Sequence, residues 1–219
     1  MTQSALALGA FGTTLTTLSM ALMEWRGISV NNVFVANFFF VGAFGLVITA
    51  QWELSIGNGF AYTVFSAFGK RLEPLNPINL TMQSLGLFYA GYGALLTPAF
   101  GIKEAYGSDT TQYNNAVGFW MIIWTIFIFS FFVASLSSNL AYILIFFLLT
   151  VGFLFIAASY FAMADGSSAA AMGLQKAGGA TCFVAGLLGW YVVFHIFVKA
   201  EWGLELPLGD TSRFFKRND

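Results

Sequence analysis

From Val117 to Ala164 the chain carries no Asp, Glu, Lys or Arg, and its only interruption is the polar knot Ser135-Leu136-Ser137-Ser138-Asn139. A helix that crosses a bilayer needs about 20 apolar residues, because the hydrocarbon core is about 30 Å thick and each residue rises about 1.5 Å. Two such helices and a tight turn fill this stretch, so it predicts a transmembrane helical hairpin. Composition points the same way. Hydrophobic residues make up 58% of the chain and charged residues 9%, against roughly 25% charged in ordinary globular domains, and the mean hydropathy is +0.76. The solvent of this chain is lipid.

Three further apolar runs predict spans. The first extends from about Ala5 to Met23 and, lacking a basic segment before it, reads as a span rather than a cleavable signal. The second is Val33 to Trp52, ending at Trp52 and Glu53. The last is Ala177 to Val198, closed by Lys199 and Glu201. A third span in chain order belongs between Ile56 and Ile102, but Lys70-Arg71-Leu72-Glu73-Pro74-Leu75-Asn76-Pro77 breaks it. Charges and two prolines at mid-membrane would leave backbone groups unsatisfied in lipid. The expected architecture is therefore an all-α membrane protein, a six-transmembrane-helix bundle whose third helix is interrupted by an insertion. The bundle covers 1–203 and a C-terminal tail covers 204–219.

Several functions lose ground at once. One cysteine, Cys182, and one histidine, His195, leave no basis for a disulfide, a Cys-based metal site or a His cluster, so no metal or cofactor is expected. No paired carboxylates or nucleophile elbow suggest an enzyme. A net charge of −1 gives no footing for nucleic acid. The abundance of Phe, Tyr and Trp favours tight packing, interface anchoring or a hydrophobic gate over a wide aqueous pore.

The order of short motifs narrows the reading. Trp52-Glu53, Gly57-Asn58-Gly59-Phe60, Phe65-Ser66-Ala67-Phe68-Gly69, Pro98-Ala99-Phe100-Gly101-Ile102-Lys103-Glu104-Ala105-Tyr106, Tyr113-Asn114-Asn115-Ala116, Lys176-Ala177-Gly178-Gly179-Ala180 and Trp190-Tyr191 follow one another along the chain. In that order they resemble the acetate uptake transporter family of bacterial succinate-acetate permeases and fungal acetate and ammonia-export proteins, with the fungal branch fitting best. The resemblance implies a six-helix bundle with both termini cytoplasmic, hexamers with one pathway per protomer, and a constriction that falls on Phe11, Phe68 and Leu149. It also implies Gly189 as a position lining the pathway.

Three departures stand out. The first-span signature Asn-Pro-x-Pro-Leu-Gly-Leu keeps only Leu6 and Leu8 in the segment from Thr2 to Leu8. Phe68 stands where the family carries Tyr, removing a hydroxyl that could contact a carboxylate. Finally, Lys70 to Gly86 intervenes where the family helix is continuous. This segment reads either as a translated intron, since Gly69-Lys70, Leu80-Thr81 and Leu85-Gly86 can encode a donor, a branch site and an acceptor, or as a polar excursion. Both readings expect 61–69 and 87–94 to be helical and 70–86 not.

No Lys or Arg falls within a clear predicted span. A bare carboxylate at the bilayer centre costs several kcal/mol, so a monocarboxylate is expected to cross protonated or with a proton close by. Candidate polar stations are Thr13, Thr14, Asn58, Tyr62, Ser66 and Thr150. Glu53 reads either as a proton site raised by desolvation or as an interface residue. His195 reads as a packed or interfacial group ahead of a proton shuttle. The glycines of the last span, and Gly42 and Gly45 of the second, read mainly as helix-packing contacts. The leading expectation is passage of acetate and similar short monocarboxylates, channel-like or proton-coupled, through a homo-oligomer, hexameric by resemblance, in the plasma membrane. Alternatives are an ammonia or ammonium conduit and a non-transporting receptor or assembly subunit.

Overall fold

The computed structural model describes residues 3–28, 30–49, 77–136 and 138–211. These form six helices, named here α1 (Gln3–Leu22), α2 (Asn32–Thr49), α3 (Pro77–Leu96), α4 (Thr110–Ser135), α5 (Leu140–Ala164) and α6 (Ser168–Trp202). Among the described residues there is no strand, only an isolated bridge between Asn139 and Asp210. Stretches of α1, α2, α4, α5 and α6 are long and apolar enough to cross a membrane, and the apolar part of α3 runs from Gly86 to Leu96. The protein is an integral multi-pass membrane protein. The predicted hairpin is α4 and α5, with the polar knot at its turn.

Glycines set how the helices meet. Along α1 and α6 the pairing runs backwards. A Cβ on Gly189 would stand 3.2 Å from the Phe11 ring, one on Gly186 2.6 Å from Thr16 Cγ2, and one on Gly179 3.0 Å from Leu22 Cβ. The two helices are therefore antiparallel, and the start of α1 shares an end of the bundle with the finish of α6. Between α5 and α6 the approach reaches the backbone itself: a Cβ on Gly178 would lie 2.9 Å from the Gly152 carbonyl oxygen and 2.7 Å from Ile156. Helices pack this tightly in lipid because small residues let dispersion contacts form along both backbones. Gly42 likewise admits the Tyr89 ring of α3, at 2.9 Å from a Cβ placed there. In α2 the backbone winds in the wider i→i+5 form over Asn37–Gly45. That winding brings residues four apart onto one face, and Phe38, Gly42 and Leu46 are buried there, with Thr49 buried beyond them.

The chain of contacts runs α3 to α2, α2 to α1, α1 to α6, α6 to α5 and α5 to α4. Stacking of Phe88 on Trp120, with ring centroids 5.2 Å apart, joins α3 back to α4. Six helices thus close into a ring. Its inner face is the buried core, including Phe11, Leu15, Phe88, Met121, Leu149, Phe153 and Val192, while Phe40, Phe44, Phe119, Ile123, Leu154 and Phe194 face outward, as a lipid-facing surface requires.

The expectations for the interruption need correction. Residues 77–86 belong to α3 and are helical, not an excursion. Pro77 stands at the helix start, where a missing N–H costs nothing and a fixed φ suits the first turn. The segments 61–69 and 70–76 lie outside the described residues. The last helix also begins earlier than Ala177, at Ser168, so Lys176 lies within it. That cation is tolerated because it sits near the helix start and pairs with Glu24 at 2.8 Å.

Beyond α6 the chain turns at Gly203 and doubles back over the α4–α5 turn. Gly209 and Leu208 present carbonyls to the Leu140 and Ala141 N–H groups at 2.7 and 3.2 Å, and the Asn139 side chain accepts from Tyr142 N at 3.1 Å. The first N–H groups of α5, which have no partner inside the helix, are satisfied in this way. Gly209 has φ +71°, and a Cβ there would meet Leu140 Cβ at 2.8 Å, so no larger residue fits. His195 Nδ1 donates to the Leu206 carbonyl at 2.8 Å, Tyr191 donates to Pro207 O at 2.8 Å, and Lys199 pairs with Glu205 at 2.6 Å. His195 is thus a packed residue that pins the strap 203–211. The Lys199 hydrogen bond and charge hold the Glu205 carboxyl below its ordinary pKa.

Candidate functional site

Of the residues expected to line a pathway, Phe11, Thr13, Thr14, Leu149, Thr150 and Gly189 are described; Glu53, Asn58, Tyr62, Ser66 and Phe68 lie outside the described residues. Phe11 and Leu149 are buried, at 6% and 2% exposure. Phe11 lies against Gly189 at the close approach given above. Both Phe11 and Leu149 belong to the common core inside the ring. Each stands one helical turn from a residue lining a small internal cavity, Phe11 from Leu15 and Leu149 from Phe153.

The hydroxyls divide sharply. Of the eight buried threonine, serine and histidine side chains among the described residues, seven have partners: Thr16 donates to Gly12 O, Ser19 to Leu15 O, Thr49 to Gly45 O, Thr125 to Met121 O, Ser135 to Phe132 O and Ser159 to Ile156 O, and His195 binds the strap. Thr14 is the exception. Its exposure is 0% and its hydroxyl has no hydrogen-bond partner. A hydroxyl left unpaired in an apolar interior costs about 1–3 kcal/mol, and a threonine in a helix ordinarily avoids this by turning back onto its own carbonyls. Thr150, half-buried, does so, donating to Phe146 O at 2.7 Å. Thr13 is half-buried, and its carbonyl accepts from the Thr16 and Thr17 hydroxyls.

The internal cavity has a volume of about 10 Å³, room for about one water. It is lined by residues from α1, α3, α4, α5 and α6, among them Leu15, Phe88, Tyr92, Phe153 and Cys182. Toward the end where α4 begins, a second cavity of about 200 Å³ lies under the segment 97–109, bordered by Gly91, Ile102, Tyr106, Tyr113, Val117 and Trp120. Trp120 separates the two: it stacks on Phe88 and, at 6.5 Å, on Tyr92, both of which line the inner cavity. Neither cavity is lined by Lys or Arg among the described residues.

Sequence reasoning missed both cavities. The stripe Phe11, Leu15, Leu18, Leu22 of α1 is a helical-spacing signal that could have marked the inner one. No local signal marks the outer one, because it depends on how 97–109 folds over α4.

The chain matches the GPR1/FUN34/yaaH family over residues 2–71 and 78–203. It belongs to that family. The unmatched stretch, 72–77, falls within the segment expected to interrupt α3 and ends where α3 begins. The acetate transporter protein patA of Aspergillus clavatus is 42% identical over 214 residues, 98% of this chain and 80% of that protein. The patA protein of Penicillium expansum is 40% identical over 214 residues, 98% and 79% of the two chains. Among solved structures, that of the bacterial acetate channel SatP superposes with a TM-score of 0.71 at 21% identity, covering 95% of this chain and 99% of that one. At that identity the likeness establishes the fold alone: this chain shares the all-helical fold of that channel.

Proposed function

We propose that this GPR1/FUN34/yaaH family member passes acetate and similar short monocarboxylates across a membrane through the middle of its helix ring. The observation that carries the reading is its 42% identity, over 98% of its length, to a protein named as an acetate transporter. The interior supports a particular form of the substrate. A carboxylate would need a cation or several donors to replace its hydration, whereas the lining of both cavities is mostly apolar. The neutral acid needs only hydrogen-bonding partners for one O–H and one carbonyl. Its route runs from the outer cavity, past Trp120, through the inner cavity and between Phe11 and Gly189, with Leu149 at the same constriction.

The unpaired Thr14 hydroxyl supplies a polar contact along that route, with Thr13 and Thr150 as weaker stations and Gly189 as the small wall facing Phe11. Phe68, Glu53, Asn58, Tyr62 and Ser66 are proposed to complete the pathway from the segment between α2 and α3. On the same reading the protein assembles as a homo-hexamer with one pathway per protomer and works in the plasma membrane without a cofactor. Both termini are cytoplasmic, in keeping with Arg213, Lys216 and Arg217 of the tail and the excess of cations on the cytoplasmic side of membrane proteins.

Labelled-acetate uptake into proteoliposomes under an inward proton gradient tests this. Uptake by the full chain, quickened by external acid, is the expected result. Absence of uptake by the folded chain contradicts it, and methylammonium flux in the same vesicles would then mark an ammonia conduit, while its absence would mark a non-transporting role.

A further inference from the structure

Phe88 and Trp120 stack on each other, yet only one of the two has room to move. Phe88 is 3% exposed and has five rings around it, with centroids at 4.9 Å for Phe153, 5.2 Å for Trp120, 5.3 Å for Trp124, 5.5 Å for Tyr89 and 5.9 Å for Tyr92. In an interior packed as densely as an organic crystal, a ring so enclosed stays in place.

Trp120 is only half-buried. It lies nearly parallel to Phe88 and Tyr92, at interplanar angles of 16° and 10°, and it also borders the outer cavity of about 200 Å³. Where it meets α3, a Cβ on Gly91 would stand 3.2 Å from Trp120 Cζ2, so the edge of the indole rests against the helix at a point that carries no side chain. Trp124, one turn further along α4, makes the contrast. It packs on Phe88, Trp120 and Phe127 and borders neither cavity.

We infer that Trp120 is a movable leaf between the two cavities and sets the upper size of the acid that the protein passes. The inference rests on the transport reading above. Side chains move between discrete torsional wells, and the open volume beside Trp120 is the space into which its indole turns. Turning uncovers Phe88 and Tyr92, which line the inner cavity. The solute arrives in that same volume. A two-carbon acid leaves space for the indole to turn beside it, whereas a branched five-carbon acid fills the space and holds the leaf shut. Selection by size then comes from ring and solute competing for one volume, and it needs no polar contact.

The test has two parts, both on the full chain. Proteoliposome uptake compares labelled acetate with 2-hydroxyisovalerate, whose hydroxyl keeps its leak through bare lipid low, for the wild type, Trp120→Ala, Trp120→Phe and Ala116→Leu. The wild type should favour acetate. Trp120→Ala should raise the uptake ratio of the bulky acid to acetate at least about tenfold, the scale on which the size of an apolar site discriminates between homologous solutes, with Trp120→Phe in between. Ala116→Leu, which adds atoms to the wall of the outer cavity, should slow acetate. An unchanged ratio in folded Trp120→Ala, or equal passage of both acids by the wild type, overturns the filter alone; if Trp120→Ala does not fold, Trp120→Phe gives the same comparison. Fluorine NMR of protein labelled with 5-fluorotryptophan then reads the leaf without transport. The Trp120 line, assigned by its loss in Trp120→Phe, should be broadened by exchange and should sharpen in Ala116→Leu, while the Trp124 line does not respond. A Trp120 line that is sharp in the wild type and unchanged in Ala116→Leu overturns the leaf. A responding Trp120 line in a wild type that moves no acetate overturns the transport reading and leaves the leaf standing.

Discussion

The two sides of the helix ring are built differently. Along α1, α6 and α5 glycines of one helix receive side chains or backbone of the next at close range, as Gly186 does Thr16, Gly189 the Phe11 ring and Gly178 the Gly152 carbonyl; along α3 and α4 the contacts are ring against ring, with the outer cavity beside them. A seam of small residues has few ways to close, since a Cβ added at Gly178, Gly179 or Gly186 meets a packed neighbour at 3.0 Å or less. An aromatic wall keeps space beside it, because flat rings stack at about 5 Å and slide or turn within their rotamers. The first side holds the bundle together along its length, and the outer, larger cavity lies beside the second.

That contrast orders the expected effects of substitution. Gly178→Val should be the most damaging, since its Cβ alone would stand 2.7 Å from Ile156 and 2.9 Å from the Gly152 carbonyl oxygen, and overpacking a close contact costs about 1–3 kcal/mol or more. The expected outcome is a large drop in melting temperature or loss of monodisperse protein; a variant as stable as the wild type would break the distinction between the two sides. Gly189→Ala sits where the seam meets the route. Its new methyl would press the Phe11 ring at 3.2 Å, and acetate uptake should slow by about tenfold, equivalent to about 1.4 kcal/mol of barrier, with melting little changed.

Thr14→Val sharpens the comparison from the other direction. Replacing an unpaired buried hydroxyl with a methyl should leave stability equal or higher, while uptake falls about fivefold for the loss of one hydrogen bond of about 1 kcal/mol to the passing acid. Thr16→Val, which removes a hydroxyl already bonded to Gly12 O, should not slow uptake. The smallest effect belongs to the strap. The Glu205 carboxyl is held below its ordinary value of 4.5 by Lys199, so the ion pair's contribution is complete above that value and fades only as pH falls through the lowered one. Protease cleavage of 203–211 should proceed at the same rate at pH 7 and pH 5 and quicken at more acid pH, and Lys199→Met should change it by less than about twofold, as expected for an exposed pair.

The fold was largely legible because membrane spans are written in length and hydropathy. Val117 to Ala164 gave the α4–α5 hairpin and its turn, and the glycines of the last helix were rightly read as contacts. The start of α3 was not legible: Pro77 beside Pro74 and Lys70 looked like a break, whereas a proline at a helix start is a beginning as much as an end. The strap was invisible for another reason, since its order comes from carbonyls of Leu206 to Gly209 finding donors on His195, Leu140 and Ala141 far along the chain. Of the site, Phe11, Leu149 and Gly189 came from resemblance, and the structure gives each a buried place inside the ring. Thr14 differed from Thr13 and Thr16 only once the helix was built, because hydroxyl satisfaction is a property of packing rather than of residue type.

The most direct test of the central claim, that a protonated short acid passes through the middle of the ring, is acetate uptake into proteoliposomes by the wild type, Thr14→Val and Thr16→Val side by side, at external pH 5 and 7.5. The account expects wild-type uptake faster at pH 5, Thr16→Val close to it, and Thr14→Val slower with undiminished thermal stability. Uptake by the wild type that is faster at pH 7.5 at equal total acetate, or by Thr14→Val at the wild-type rate, would contradict it.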